Sequence, residues 1–160
     1  MFVEDGRRFV DGSSDVYDLA IVDAFEDDRV PRALTTREFL QDLHWHLSPE
    51  GAIAFNFIGT VDGSLSGPFR SLHRTLGSVW SRVWVFTIDE GVLADGINLC
   101  LLATDANVSE DELRSRIADR VGGRVTVPAF HLFGEDLYTG AIEYGDAPLL
   151  VDEPGDADRI

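Results

Sequence analysis

An apolar run that ends in an acid constrains this chain more than any other feature: Tyr17-Asp18-Leu19-Ala20-Ile21-Val22-Asp23-Ala24-Phe25. A near-continuous run of this kind suits a buried strand in a parallel sheet covered on both faces. A strand that ends in a carboxylate, followed by a polar loop and then a helix, presents that carboxylate at the ligand crevice of an open α/β sheet. The position of the run matters equally. Strands with a glycine-rich phosphate or nucleoside turn come early in such folds, and the expectation is that this sequence has no room for them. No Gly-x-Gly-x-x-Gly occurs in it.

The pattern that follows alternates strand and helix. Asp5–Val10 reads as a helical turn after a strand stub at Met1–Glu4, and Glu26–Arg32 as an acidic loop. Thr35 or Thr36 caps a helix to about Leu47, with Glu38 in its first turn and Phe39, Leu40, Leu43 and Leu47 on one face. Ser48-Pro49-Glu50-Gly51 stops it, and Ala52–Ile58 is a second buried strand that ends near Asn56. Pro68 opens a helix to about Trp80. Arg82–Ile88 and Gly96–Thr104 are strands joined too tightly for a parallel crossover, so they pair antiparallel. Ser109 or Asp111 opens a further helix to about Val121, a short one is expected near Phe130–Tyr138, and Tyr144–Ile160 is an acidic, loop-like tail. The prediction is one α/β domain over residues 1–160. Its partial Rossmann-like sheet has about four strands, with an antiparallel hairpin at one edge and helices flanking it, as in the second half of an adenosylmethionine-methyltransferase sheet.

Charge narrows the functions open to the chain. The formal net charge is −16, and all 13 cations are arginine. Nucleic acids and anionic membranes are bound through basic patches, so neither is expected as a partner. Acids spread along the whole chain without lysine suit a high-salt, halophilic cytoplasm, where screening suppresses self-repulsion. No apolar stretch has the length of a membrane span, and no apolar region follows the N-terminal arginines as in a secretion signal, so a cytoplasmic location is expected. The single Cys100 lies in an apolar run and reads as a small hydrophobe. His44 and His46 are two apart on a helix, diverge, and cannot share a metal. His73 and His131 read as surface and packing residues.

Several motifs in order point to a family. Asp5-Gly6-Arg7-Arg8-Phe9, the Tyr17–Phe25 run, Pro31 with Leu34-Thr35-Thr36-Arg37-Glu38-Phe39, Leu47-Ser48-Pro49-Glu50-Gly51 and Asp146-Ala147-Pro148-Leu149-Leu150-Val151-Asp152 together resemble spermidine synthase and its spermidine-synthase-like relatives, as their C-terminal part. The resemblance implies aminopropyl transfer from decarboxylated S-adenosylmethionine to an amine, with no metal. It implies nucleoside binding by Asp5 and Gly6, catalysis by Asp23, and amine binding by Glu26, with Asp27 and Asp28 as nearby substitutes; Asn56, at the end of the second strand, is a further amine-binding candidate from its place at the same crevice. Asp23 would orient and deprotonate the attacking amine. The family's glycine-rich donor turn has no counterpart here, and the loop reads Asp23-Ala24-Phe25-Glu26-Asp27-Asp28. Two other readings stand beside the transferase: an inactive interaction or dimerisation module, and an S-adenosylmethionine-dependent methyltransferase. A small cationic amine, a second copy of the chain, or a missing N-terminal half or subunit are the expected partners.

Overall fold

The computed structural model describes residues 4–26, 29–93, 96–121 and 134–153. Elements follow the order α1 (Gly6–Gly12), β1 (Tyr17–Val22), a 3-10 turn (Arg32–Leu34), α2 (Arg37–Trp45), β2 (Leu47–Gly59), α3 (Gly67–Leu76), β3 (Arg82–Leu93), β4 (Gly96–Thr104) and α4 (Glu110–Val121). The four strands form one sheet in the order β1-β2-β4-β3. β1 and β2 are parallel, and β4 is antiparallel to both β2 and β3. The predicted fold class therefore holds. The tight β3–β4 hairpin inserts β4 between β2 and β3.

One face of the sheet carries the core. Ile53 and Phe55 of β2, Val85 of β3, and Leu99, Leu101 and Ala103 of β4 are buried there. They share a cluster with Phe39, Leu40 and Leu43 of α2 and Phe69, Leu72 and Leu76 of α3. These are the helical apolar stripes expected from spacing. Thr36 caps α2 by accepting from the Phe39 amide at 3.4 Å. Ser109 does the same for α4 through the Glu112 amide at 3.2 Å. Pro68 stands at the start of α3, where a missing N–H costs nothing.

Several boundaries differ from the sequence expectation. α2 ends at Trp45, because the chain enters the sheet immediately: the His46 carbonyl accepts from the Tyr17 amide at 2.8 Å. Ser48-Pro49-Glu50-Gly51 is part of β2 rather than a separate turn. The β1–β2 register breaks between Tyr17↔Leu47 and Leu19↔Ala52, and this bulge accommodates Pro49. Gly51 is needed there, since a Cβ would stand 2.9 Å from the Ser48 carbonyl oxygen. α3 ends at Leu76, and Trp80 closes the following turns by donating its amide to the Leu76 carbonyl. β3 runs on to Leu93 with a register shift after Ile88. At the hairpin, Gly96 has φ +143° and its Cα faces the Gly59 backbone, so only glycine fits. The expected helix near Phe130–Tyr138 is represented in the described residues by turns and by Leu137, which bridges to Phe86. Phe130 and His131 lie outside the described residues.

The two edges of the sheet differ. Beside β3, Tyr138 donates its amide to the Val85 carbonyl and the Thr87 amide donates to Asp136, so residues 136–138 cover that edge. β1 pairs only with β2 among the described strands, and Leu19 and Ile21 are 52% and 68% exposed. The expectation of a strand buried on both faces is corrected here. β1 is an edge strand, and only its Ala20 and Val22 face turns to the core.

His73 is more buried than a helix-surface residue. Its Nδ1 lies 2.9 Å from the Tyr144 hydroxyl, and burial lowers its pKa from 6.5 to about 4. The folded value is depressed, so this contribution to stability is present above the unfolded pKa and is lost as pH falls through about 4. Urea denaturation at pH 7 and pH 5 should show an acid loss of stability that His73→Gln reduces.

Candidate functional site

The C-terminal end of β1 opens into a cavity of about 430 Å³ between α1, β1 and α2. Gly6, Phe9, Val10, Val22, Asp23, Ala24 and Leu34 line it, and it extends along the outer edge of β1 toward Tyr17 and His46. Its walls are mostly apolar, with few polar groups, as in small-molecule sites of this size. Asp23 is exposed at the mouth. On the neighbouring strand, Asn56 donates from Nδ2 to Asp23 Oδ1 at 2.9 Å. The parallel β1–β2 ladder sets this pair, since Val22 is in register with Phe55 and the next residue of each strand is Asp23 and Asn56. One carboxylate oxygen is thus held by an amide. A solvent-facing carboxylate oriented in this way can hold an ammonium and accept its proton.

The other expected site residues divide. Gly6 lines the cavity and packs on Leu34, with a Cβ position 3.4 Å from Leu34 Cδ2. Asp5 is the N-cap of α1: its Oδ1 accepts from the Arg7 amide at 3.0 Å and the Arg8 amide at 3.1 Å. The carboxylate expected for a nucleoside amine is therefore also a structural cap. Glu26 forms a backbone bridge with Arg29, two hydrogen bonds of 2.8 and 3.2 Å, and does not line the cavity. Asp27 and Asp28 lie outside the described residues.

Sequence reasoning missed what holds this corner together. Arg7 is buried and forms a bidentate pair with Asp152, 2.8 Å to Oδ1 and 2.5 Å to Oδ2. The Arg7 hydrogen bonds hold the Asp152 carboxyl below the ordinary carboxylate range. The available signal was an acid at the end of an apolar tail, Leu149-Leu150-Val151-Asp152, and a charged residue two positions after a helix cap. A depressed folded pKa contributes stability above the unfolded value and loses it as pH falls through the folded value. Asp152→Asn should therefore be less stable than wild type at pH 7, and the difference should shrink as pH falls through the depressed range of Asp152. Denaturant titrations across this range check it.

His44 also has a partner. Its Nε2 lies 2.7 Å from Asp105 Oδ2, and its ring meets Trp80 edge-on at 5.5 Å. This contact ties α2 to the turn after β4, about the far end of the sheet from Asp23. Among the described residues no group of three or more His, Cys, Asp or Glu side chains is placed to hold a metal ion. Among the described residues no helix is long and apolar enough to cross a membrane.

No family model matches the chain. Among curated proteins, Polyamine aminopropyltransferase 2 of Pseudomonas aeruginosa is 29% identical over 159 residues, which is 97% of this chain and 45% of that protein. A probable polyamine aminopropyl transferase of Bifidobacterium longum is 32% identical over 87 residues, 53% of this chain and 19% of that protein. The chain thus spans less than half the length of these relatives. The crystal structure of a probable spermidine synthase from Corynebacterium glutamicum superposes with a TM-score of 0.67 at 21% identity, covering 97% of this chain and 55% of that one. Human Methyltransferase-like protein 13, solved with SAH, superposes with a TM-score of 0.56 at 21% identity, covering 71% and 54%. The structural likenesses establish a shared Rossmann-like fold. With the sequence relatives and the order of the motifs, the chain is similar to spermidine-synthase-like proteins and fits the C-terminal part of that family.

Proposed function

We propose that the crevice at the end of β1 is the acceptor side of an alkyl-transfer site that moves an aminopropyl group from decarboxylated S-adenosylmethionine to a small amine. The observation that carries this reading is the Asn56–Asp23 pair at the mouth of the cavity that Gly6 lines. Asp23 holds the ammonium and accepts a proton from it. The freed amine nitrogen attacks the carbon next to the donor's sulfonium. The new C–N bond forms as the C–S bond breaks, and methylthioadenosine leaves with the electron pair on sulfur. The apolar walls from Phe9, Val10 and Leu34 suit a nucleoside ring, and Gly6, with no side chain of its own, lets a ring approach the start of α1. Both reactants are cations, and a chain of net charge −16 attracts them.

The cavity lies open along the free edge of β1. A strand pairing there would satisfy the free backbone groups of an association-prone apolar edge, next to the exposed face that carries Leu19 and Ile21. The exposed edge equally supports a second reading, an interaction module without catalysis. A methyltransferase reading rests on fold alone, and fold does not fix reaction type.

The test is release of methylthioadenosine from decarboxylated S-adenosylmethionine by the purified chain, with and without a diamine at millimolar concentration. Release that depends on the diamine is the expected result. No release contradicts the proposal and leaves the interaction module. Methyl transfer from S-adenosylmethionine instead selects the methyltransferase.

A further inference from the structure

The tail from Ala147 to Glu153 runs as a strap over three helices. Arg74 of α3 donates to the Ala147 carbonyl at 2.7 Å, and the Leu150 amide donates to Thr75 Oγ1 at 3.0 Å. The Arg37 amide at the start of α2 donates to the Leu150 carbonyl at 2.8 Å, and the Asp152 amide donates to Glu38 Oε2 at 2.9 Å. The strap then grips both walls of one corner of the cavity. On the α1 side, Asp152 takes the buried guanidinium of Arg7, whose own amide donates to the Asp5 carboxylate. On the opposite side, Arg32 donates to the Val151 carbonyl at 2.9 Å and pairs with Glu153 at 3.0 Å. Arg32 opens the 3-10 turn that places Leu34 against Gly6.

We propose that Arg7 and Asp152 are positioning residues: through them the C-terminal strap fixes the Asp5–Gly6 corner at the width an adenosyl ligand requires. This rests on the reading of that corner as the nucleoside end of the site. The physical basis is geometric. Arg7 is the residue next to Gly6, and a bidentate guanidinium–carboxylate pair fixes orientation as well as distance. The pair is mostly buried, with side chains 7% and 20% exposed, so salt screens it weakly. α1 is short, and besides this pair its only other buried side chain is Val10. Loosening the pair therefore frees α1 before it affects the sheet.

Hydrogen exchange of the whole chain, combined with methylthioadenosine titration, tests the proposal. In Asp152→Asn, the α1 amides of Phe9 and Val10 should exchange faster by a factor at least tenfold larger than any change at Ile53 and Leu101. Methylthioadenosine should bind at least tenfold more weakly. Arg7→Lys, which keeps the charge but loses the fork, should fall between. It also carries the test if Asp152→Asn does not fold. Exchange that rises equally in α1 and the sheet overturns the proposal, because the pair is then only a general stabiliser. Unchanged exchange in α1, or selective exchange with unchanged affinity, overturns it as well. A wild-type chain that binds no methylthioadenosine sinks the nucleoside reading of the site, and the exchange data still decide whether the strap fixes the corner.

Discussion

Asp23→Asn should lower aminopropyl transfer by about 10²–10⁴-fold, the range a positioned general base contributes, and should leave the fold intact. The substitution keeps an oxygen for the Asn56 amide, so the 2.9 Å contact survives. It removes the charge that holds an ammonium and the lone pair that takes its proton. Asp23 is exposed, and its loss empties no core space. Transfer kinetics beside a thermal melt check both halves. Asn56→Ala should cost less, since it removes the orientation of Asp23 and keeps the base itself. A kcat that is unchanged in Asp23→Asn contradicts the assigned role.

Phe55→Ala should cost about 3–5 kcal/mol, the usual range for emptying a fully buried phenylalanine site. Phe55 is fully buried in the middle of β2, in the cluster formed with the α2 and α3 residues. Domains of this size are stable by about 5–15 kcal/mol, so the variant loses a large share of its stability and is expected to unfold at moderate temperature. Trp45→Ala is the control. Trp45 is 81% exposed, and its replacement should shift stability by no more than about 0.5 kcal/mol. Urea midpoints of the two variants measure the contrast.

Local periodicity made most of the fold legible. The stripes of α2 and α3, the Thr36 cap and the hairpin between β3 and β4 each depend on neighbours in sequence, and each was found where the residues placed it. The exposed face of β1 was not legible. Tyr17–Val22 has the apolar composition of a strand covered on both faces, and only the structure shows that Leu19 and Ile21 are left exposed. Asp23 and Asn56 could each be placed at a strand end, but their contact depends on parallel pairing in one register, which no local pattern encodes. The Arg7–Asp152 pair spans 145 residues and had no local signature beyond an acid after an apolar run and an arginine in the first turn of α1. Ser48–Gly51 reads as a turn because proline and glycine usually punctuate; here the same residues form a bulge.

The central claim is that the end of β1 receives an adenosyl ligand beside Asp23. Two-dimensional amide NMR of the chain, titrated with methylthioadenosine, tests it most directly, because shifts report weak binding and its location. The account predicts saturable shifts concentrated on Gly6, Ala24 and the Asn56 side-chain amide, and their loss in Gly6→Val. Shifts centred instead on the His44–Trp80–Asp105 contact or the His73–Tyr144 contact, or no shifts at millimolar ligand, contradict it.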